Sequence, residues 1–112
     1  MPGTVNLGAC QELTELLVRF HEEGKKVAAI CAAPSVLGDL GILKGKRAAC
    51  YPGFEERLAG AEVVYEKVAV DSNVTTSRAM GTAVPFALAL AQQLASPEKA
   101  EEIKKGILYG HA

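Results

Sequence analysis

A chain of 112 residues is long enough for one domain or part of one, and its hydrophobic fraction of 49% is ordinary for a soluble globular protein. Its 12 basic and 13 acidic residues nearly cancel, which argues against binding to nucleic acid or an anionic membrane through bulk charge. The 3 cysteines are widely spaced, which argues against a disulfide framework or a zinc site and predicts a reducing, cytoplasmic location.

The first part of the chain predicts a loop, a helix and a buried strand, in that order. Residues 1–7 show no periodicity, so we expect a loop there. Residues 8–23 predict an amphipathic helix that ends at Gly24, because its apolar side chains recur at helical spacing: Leu13, Leu16, Leu17 and Phe20. The consecutive apolar residues over 27–30 predict a strand covered on both faces, which is typical of a parallel sheet between helices.

The rest of the chain alternates between short strands and helices, as expected for an α/β protein. The predicted segments are a helix over 35–40, a strand over 47–51, a helical turn over 54–59, strands over 62–66, 67–71 and 74–77, a strand-to-helix turn over 78–82, and helices over 83–94 and 96–105. The helix over 83–94 is so rich in apolar residues that we expect most of its surface to be buried.

Cys31 directly follows the predicted buried strand, and small residues and a proline follow it. Ala32 and Ala33 fit a crowded turn, and Pro34 suits the first position of a helix, where its missing N–H costs little. A tight turn of this kind projects a side chain at the carboxyl edge of a sheet, where α/β proteins place their sites. The local pattern predicts either a cysteine nucleophile on an elbow or a small buried hydrophobic residue, and both interpretations stay open.

Two strand-to-helix turns, one at Cys31 and one beginning at Arg78, are expected at the same edge of the sheet. The Ala32 N–H would donate to an oxyanion formed by attack on a carbonyl, and the helix start would stabilise a thiolate. Arg78 and Thr82 are placed to bind an anionic or carbonyl oxygen, although Arg78 suits a surface ion pair equally well. Tyr51 ends the next predicted strand, and a tyrosine hydroxyl is a poor base but a usable hydrogen-bond donor.

The sequence offers Cys31 no well-placed general acid or base. His21 is expected at the opposite edge of the sheet and His111 in the C-terminal tail, so both are expected to be solvated. Asp39 lies on the far side of a turn, and Glu55 lies on a loop. The predicted constellation is therefore incomplete.

The other two cysteines are expected to be structural or incidental. Cys50 precedes Tyr51 on a predicted strand, so their side chains point in opposite directions and Cys50 belongs to the core. Cys10 lies near a helix start without a nearby base. No metal and no cofactor are expected.

Several of these segments, taken in order, resemble the ThiJ/PfpI superfamily, and within it the branch of the Parkinsonism-associated deglycase (DJ-one) and YajL-like proteins. The run from Ala28 to Pro34 resembles the nucleophile elbow of that family, and the first eight residues resemble the loop after its Pro-Gly-Gly turn. The run from Thr76 to Thr82 resembles its second motif, Thr-Ser-x-Gly-Pro-Gly-Thr, with Ala-Met in place of Gly-Pro. Tyr51 falls where many members have a histidine.

The resemblance implies an α/β fold, namely a flavodoxin-like three-layer sandwich with a mainly parallel sheet of the class I glutamine amidotransferase type, usually in a homodimer. It implies a cysteine-dependent glyoxalase or deglycase that acts on small reactive carbonyls or their protein and nucleotide adducts and protects against oxidative stress. Cys31 matches the catalytic, readily oxidised residue. The main alternative is a non-enzymatic redox sensor or chaperone that uses Cys31 oxidation. A cysteine peptidase ranks last, because no histidine is well placed, and an inactive fragment is a further alternative.

Family members are longer, so the resemblance implies that residues 1–112 are the C-terminal part of a single domain whose first strands are absent. The absent part would carry the glutamate that hydrogen-bonds the cysteine and the glycine that supplies a second oxyanion N–H. Sheet edges and apolar faces would then be bare, so we expect stability to require that segment or a partner that supplies it. No apolar run is long enough to span a membrane, and the first residues do not resemble a signal peptide.

Overall fold

The computed structural model describes residues 2–110, and this part of the chain contains five α-helices and five β-strands, in the order α1-α2-β1-α3-β2-β3-β4-β5-α4-α5. The helices are α1 (Pro2–Ala9), α2 (Gln11–Glu22), α3 (Pro34–Asp39), α4 (Ala83–Leu94) and α5 (Pro97–Gly106). The strands are β1 (Val27–Ile30), β2 (Arg47–Ala48), β3 (Glu62–Val63), β4 (Val68–Asp71) and β5 (Val74–Ser77). Two short 3-10 turns lie at Glu55–Arg57 and Met80–Thr82. None of the helices within residues 2–110 is long and apolar enough to cross a membrane.

The main sheet has three strands in the order β1-β5-β4. β1 runs parallel to β5, with Val27 beside Val74 and Ile30 beside Ser77, whereas β4 runs antiparallel to β5. A tight turn joins β4 to β5, and Ser72 adopts a φ of +54° there. β2 and β3 form a separate parallel pair. Two of the three strand pairings are therefore parallel, and the predicted α/β class with a mainly parallel sheet is confirmed.

Helices pack on both faces of the main sheet, which gives three layers. On one face, Val27 and Val74 contact the buried Leu37 of α3, and the apolar side of α2 packs against the same cluster. On the opposite face, Thr75 accepts a hydrogen bond from Gln93 Nε2 of α4 at 2.9 Å. α5 packs on α4 and extends that layer. The buried hydrophobic cluster lies on the α2–α3 face, beneath the turn that follows β1.

Several predicted elements are confirmed together with the residues that begin and end them. β1 and β5 have the predicted bounds, and α3 begins at Pro34 as the sequence predicted. Gly24, at φ +73°, follows the end of α2 in the left-handed conformation that terminates helices. Ser96 caps α5, because its side chain accepts the Lys99 N–H at 3.0 Å.

The predicted N-terminal loop is wrong, because residues 2–9 form α1. Pro2 begins that helix, where its missing N–H has no intrahelical partner to lose. α1 buries none of its residues, which explains why its sequence shows no apolar periodicity that would predict a helix. α2 starts at Gln11 rather than at residue 8, because Cys10 has extended backbone angles and separates the two helices.

Two predictions about burial are also wrong. No residue of α4 is buried, because the sheet and α5 cover only part of its apolar surface. Ala28 in β1 is exposed although its neighbour Val27 is buried, because β1 is an edge strand of the described sheet. The apolar composition of both elements therefore exceeds what residues 2–110 cover.

The predicted strands over 47–51 and 62–66 are shorter than expected. Within these two segments, only the residues of β2 and β3 pair as regular strands, and the chain leaves that pairing after Ala48. The Ala49 N–H instead donates to Thr76 Oγ1 of β5 at 2.9 Å. This buried hydrogen bond attaches the following residues to the carboxyl half of the main sheet.

Candidate active site at the β1–α3 turn

The turn between β1 and α3 places Cys31 at the carboxyl end of the main sheet. The Cys31 N–H donates to the Ser77 carbonyl at 3.1 Å, and the Cys31 carbonyl accepts the Tyr51 N–H at 2.7 Å. The φ of Cys31 is +66°, in the left-handed region that residues with a Cβ rarely adopt. Its thiol is free and the residue is partly exposed. The predicted tight turn is therefore present, while the nucleophilic role of Cys31 stays a prediction.

Ala32 offers a backbone donor next to the Cys31 side chain. The residue is 1% exposed, and its carbonyl accepts both the N–H of Ser35 at 3.0 Å and the Ser35 hydroxyl at 2.6 Å. Within residues 2–110, no backbone carbonyl accepts a hydrogen bond from the Ala32 N–H. A buried N–H normally has a partner, so this one is suited to a ligand oxygen.

The segment that contains Cys50 and Tyr51 lies beside Cys31, and its side chains diverge. Cys50 is 2% exposed, whereas Tyr51 is 39% exposed, so the predicted opposition holds although the backbone is not a regular strand. Burial, with the Glu55 carboxylate as a second cause, raises the pKa of the Cys50 thiol to about 11, and Arg78 opposes that rise. Cys50 therefore remains a protonated core residue at neutral pH.

Thr82 holds together the second strand-to-helix turn, which follows β5. Its Oγ1 accepts the N–H groups of Arg78 and Ala79 at 3.2 and 3.0 Å. The Ser77 and Thr82 hydroxyls lie 2.7 Å apart. The Thr82 side chain thus fixes the backbone that carries Arg78, and its contact with a substrate stays a prediction.

Arg78 reaches back over the segment that borders Cys31. Its Nε donates to the Cys50 carbonyl at 3.4 Å, and its Cζ lies 5.3 Å from the centroid of the Tyr65 ring. The ion pairs among the described residues do not include Arg78, so the alternative of a surface ion pair gains no support there. The structure therefore brings Cys31, Ala32, Tyr51 and Arg78 to one edge of the sheet.

His21 and Asp39 lie away from this site, as the sequence predicted. Glu55 is closer, because its charge helps to raise the pKa of the Cys50 thiol. His21 Nδ1 is 3.4 Å from Asn73 Nδ2, at the amino end of β5, and the Asp39 carboxylate pairs with Arg57. The Glu55 carboxylate accepts the Gly53 N–H at 2.8 Å. Cys10 is exposed at the start of α2. His111 lies outside the described residues, and residues 2–110 hold no cluster of three side chains suited to a metal ion.

Sequence patterns did not identify two residues that position the site. Thr76 is fully buried and anchors Ala49, which leads into the Cys50–Tyr51 segment. Tyr65 supports the Arg78 guanidinium from a position that is distant from it along the chain. The Thr76–Ser77–Arg78 run pointed to the first, whereas no pattern near Tyr65 connects it with Arg78.

Comparison with known proteins places the chain in a family. Residues 1–93 match the model of the DJ-1/PfpI family. The Drosophila melanogaster protein dj-1beta is 38% identical over 111 residues, which cover 97% of this chain and 59% of the fly protein. The crystal structure of that protein covers 96% of this chain and 59% of its own, with a TM-score of 0.91 and 38% identity. The structure titled Toxoplasma gondii DJ-1, oxidized, covers 99% of this chain and 61% of its own, with a TM-score of 0.92 and 34% identity.

Two further relatives have names that state an activity. The Caenorhabditis elegans glutathione-independent glyoxalase DJR-1.2 is 33% identical over 106 residues, which cover 93% of this chain and 56% of that protein. The Pyrococcus abyssi deglycase PYRAB04690 is 37% identical over 73 residues, which cover 63% of this chain and 44% of that protein. The chain thus spans about half the length of these relatives. It has the flavodoxin-like fold of its solved neighbours, and on the strength of these matches it belongs to the DJ-1/PfpI family.

Proposed function

We propose that the protein is a cysteine-dependent glyoxalase or deglycase that acts on small reactive carbonyl compounds or on their protein and nucleotide adducts. The observation that carries the proposal is the left-handed conformation of Cys31 at the end of β1, beside the unpartnered Ala32 N–H. The glyoxalase and deglycase names of two relatives support the same reaction class. Protection against oxidative and carbonyl stress would be its use in the cell.

The first step of the proposed reaction is addition of the Cys31 thiolate to an aldehyde carbon. A carbon–sulfur bond forms while the carbonyl π pair moves onto oxygen, and the Ala32 N–H donates to the resulting oxyanion. With methylglyoxal as substrate, a proton then moves from the former aldehyde carbon to the ketone carbon, which leaves a lactoyl thioester on Cys31. Water attacks that thioester, the carbon–sulfur bond breaks, and lactate and the Cys31 thiolate are released, so no external oxidant or reductant is required. Tyr51, 39% exposed, would orient the substrate or the attacking water.

The proton carrier and part of the packing are proposed to come from a segment of the same protein outside residues 1–112. An apolar groove of about 150 Å³ lies next to β1. It is lined by Leu7, Leu13, Leu17, Ala28, Ala29, Ala33, Val36 and Leu37. The relatives are longer than this chain, which gives a source for the covering segment. A glutamate on that segment would exchange protons with Cys31, and the complete protein would form a homodimer.

The test is conversion of methylglyoxal to lactate by the purified protein and by two matched cysteine variants. We expect Cys31→Ser to lower kcat/KM about a hundredfold or more, because serine is a much weaker nucleophile without a strong base. Cys10→Ser is the control, because Cys10 is exposed at the start of α2. Turnover that survives in Cys31→Ser would contradict the proposal.

A non-enzymatic redox sensor or chaperone is the second candidate function. It is favoured by the partial exposure of Cys31 and by the solved structure of oxidized Toxoplasma gondii DJ-1. Peroxide would oxidise the Cys31 sulfur stepwise to a sulfinic acid and be reduced to water. Mass spectrometry after mild peroxide should then show two added oxygens on the Cys31 peptide and none on the buried Cys50. A protein that forms this product and lacks carbonyl turnover would favour the sensor.

A further inference from the structure

The Arg78 guanidinium is held at the site by two contacts that do not neutralise it. One is the hydrogen bond from Nε to the Cys50 carbonyl, at 3.4 Å, and the other is the ring of Tyr65, 5.3 Å from Cζ. A cation over a ring keeps its charge and its remaining N–H groups. Tyr65 is 67% exposed, so little of its ring is buried in the core and the ring is accessible to the arginine.

The carboxylates near this arginine are engaged with other groups. Glu66, next to Tyr65, pairs with Arg47 at 3.8 Å. Glu55 accepts the backbone N–H of Gly53 at 2.8 Å. Among the ion pairs of residues 2–110, none involves Arg78. Arg78 therefore borders the candidate site without an ion-pair partner among residues 2–110, and the nearby Glu55 carboxylate, which also acts on Cys50, balances its charge only from a distance.

Backbone hydrogen bonds connect this charge to the reactive cysteine. Arg78 directly follows Ser77, whose carbonyl accepts the Cys31 N–H at 3.1 Å. The peptide that Arg78 contacts through the Cys50 carbonyl continues into Tyr51, whose N–H donates to the Cys31 carbonyl at 2.7 Å. These two separate hydrogen-bonded connections place the Arg78 backbone and the guanidinium end of its side chain beside the Cys31 turn.

We propose that Arg78, positioned by Tyr65, forms a carboxylate-binding subsite beside Cys31, which selects small compounds that carry a carboxylate next to their electrophilic carbon. A guanidinium offers paired N–H donors that match a carboxylate. Tyr65 acts as a positioning residue, because it reaches the ligand only through Arg78. That such compounds are substrates rests on the proposed function, but the subsite itself requires only that Cys31 be a reactive thiol.

Two alkylating reagents of nearly equal size test the subsite without any turnover. Iodoacetate carries a carboxylate and iodoacetamide a neutral amide, and both transfer their CH₂ carbon to the Cys31 sulfur with loss of iodide and release of the thiol proton to solvent. Peptide mass spectrometry gives the alkylation rate at Cys31 and, in the same sample, at the exposed Cys10. The measured quantity is the iodoacetate-to-iodoacetamide rate ratio at Cys31 divided by the same ratio at Cys10.

We expect Arg78→Gln to lower this normalised ratio about threefold or more, because a nearby unit charge is lost. Tyr65→Leu should lower it about twofold, and Tyr65→Phe should preserve it, because the ring remains. Melting curves establish that each variant is folded, and the largely exposed Tyr65 gives a variant with little effect on packing.

An unchanged ratio in Arg78→Gln would overturn the subsite, and equal ratios in Tyr65→Leu and Tyr65→Phe would overturn the positioning role of the ring. These outcomes differ from failure of the proposed function, in which Cys31 shows the charge selectivity but methylglyoxal is not turned over. A chain in which Cys31 is not alkylated by either reagent would contradict both proposals, because both require an accessible thiol.

Discussion

Cys31 combines a reactive side chain with a backbone conformation that disfavours any side chain. Its φ of +66° costs an L-residue about 1–2 kcal/mol relative to glycine, because the Cβ crowds the neighbouring carbonyl. The surrounding hydrogen bonds to Ser77 and Tyr51 hold that conformation. A strained position is retained where the side chain has a task, which agrees with the proposed nucleophile.

Replacement of Cys31 by glycine should therefore raise stability while it removes the thiol. We expect the free energy of unfolding of Cys31→Gly to be about 1 kcal/mol higher than that of Cys31→Ala, because glycine relieves the strain and alanine keeps it. Urea denaturation of the two purified variants measures the difference. A Cys31→Ala protein as stable as Cys31→Gly would show that the backbone is not strained at this residue.

Cys50 should make the protein less stable at alkaline pH. The pKa of its thiol rises from 9.0 to about 11 on folding, because burial disfavours the thiolate. The unfolded chain then releases the proton at lower pH than the folded chain, so this contribution to stability is complete below pH 9 and is lost as the pH rises towards 11. The loss amounts to about 2–3 kcal/mol.

The measurement for Cys50 is the free energy of unfolding at pH 8, 9 and 10, compared with Cys50→Ala. At pH 8 the free energy of unfolding of the variant should be lower, because a cavity replaces the sulfur, and it should then fall less steeply as the pH rises. The two proteins differ only at residue 50, so the difference in slope belongs to Cys50. Parallel slopes would contradict the assigned burial effect.

At the scale of elements, sequence patterns identified strands and caps but not contacts between distant segments. β1, β5, Pro34 and the Ser96 cap follow from apolar runs and local capping chemistry, which neighbouring residues determine. α1 was missed because an exposed helix carries no apolar stripe. The early end of β2 depends on the Thr76 side chain, 27 residues away from Ala49, and no local pattern reports such a partner.

The contact between α3 and the turn at Glu55–Arg57 should tolerate no side chain at Gly38. A Cβ on Gly38 would lie 2.2 Å from the Arg57 carbonyl oxygen and 3.0 Å from the Leu58 Cα, and both are backbone atoms that cannot rotate away. We expect Gly38→Ala to lower the free energy of unfolding by about 2–3 kcal/mol, because the two elements must separate.

Gly3→Ala is the matched control for Gly38→Ala. Gly3 also lies in a helix, but a Cβ there would meet no atom within 4 Å, so we expect a change between zero and a gain of about 1 kcal/mol. Urea denaturation of both variants gives the comparison. Equal stabilities of the two variants would contradict the close approach of α3 and the turn.

At the scale of the whole molecule, the sheet has an open edge beside its candidate site. β1 pairs only with β5 in the described chain, its Ala28 is exposed, and an apolar groove runs alongside it. The sequence predicted bare edges through its resemblance to longer proteins, and the length of the matched relatives agrees with that idea. Composition alone could not predict the open edge, because the sequence contains the same apolar residues whether this chain or another segment covers them.

Amide exchange in β1 should report whether a further strand covers that edge in the complete protein. The N–H groups of Val27 and Cys31 donate to carbonyls at the two ends of β5, so those of Ala28 and Ile30, which alternate with them, point to the open edge. If a further segment pairs there, as we propose, hydrogen exchange followed by NMR should show protection at Ala28 and Ile30 comparable to that at Ala29. Fast exchange confined to Ala28 and Ile30 would contradict the proposed pairing. Protection that disappears on dilution would assign the covering strand to a second copy rather than to the same chain, because only an intermolecular contact depends on concentration.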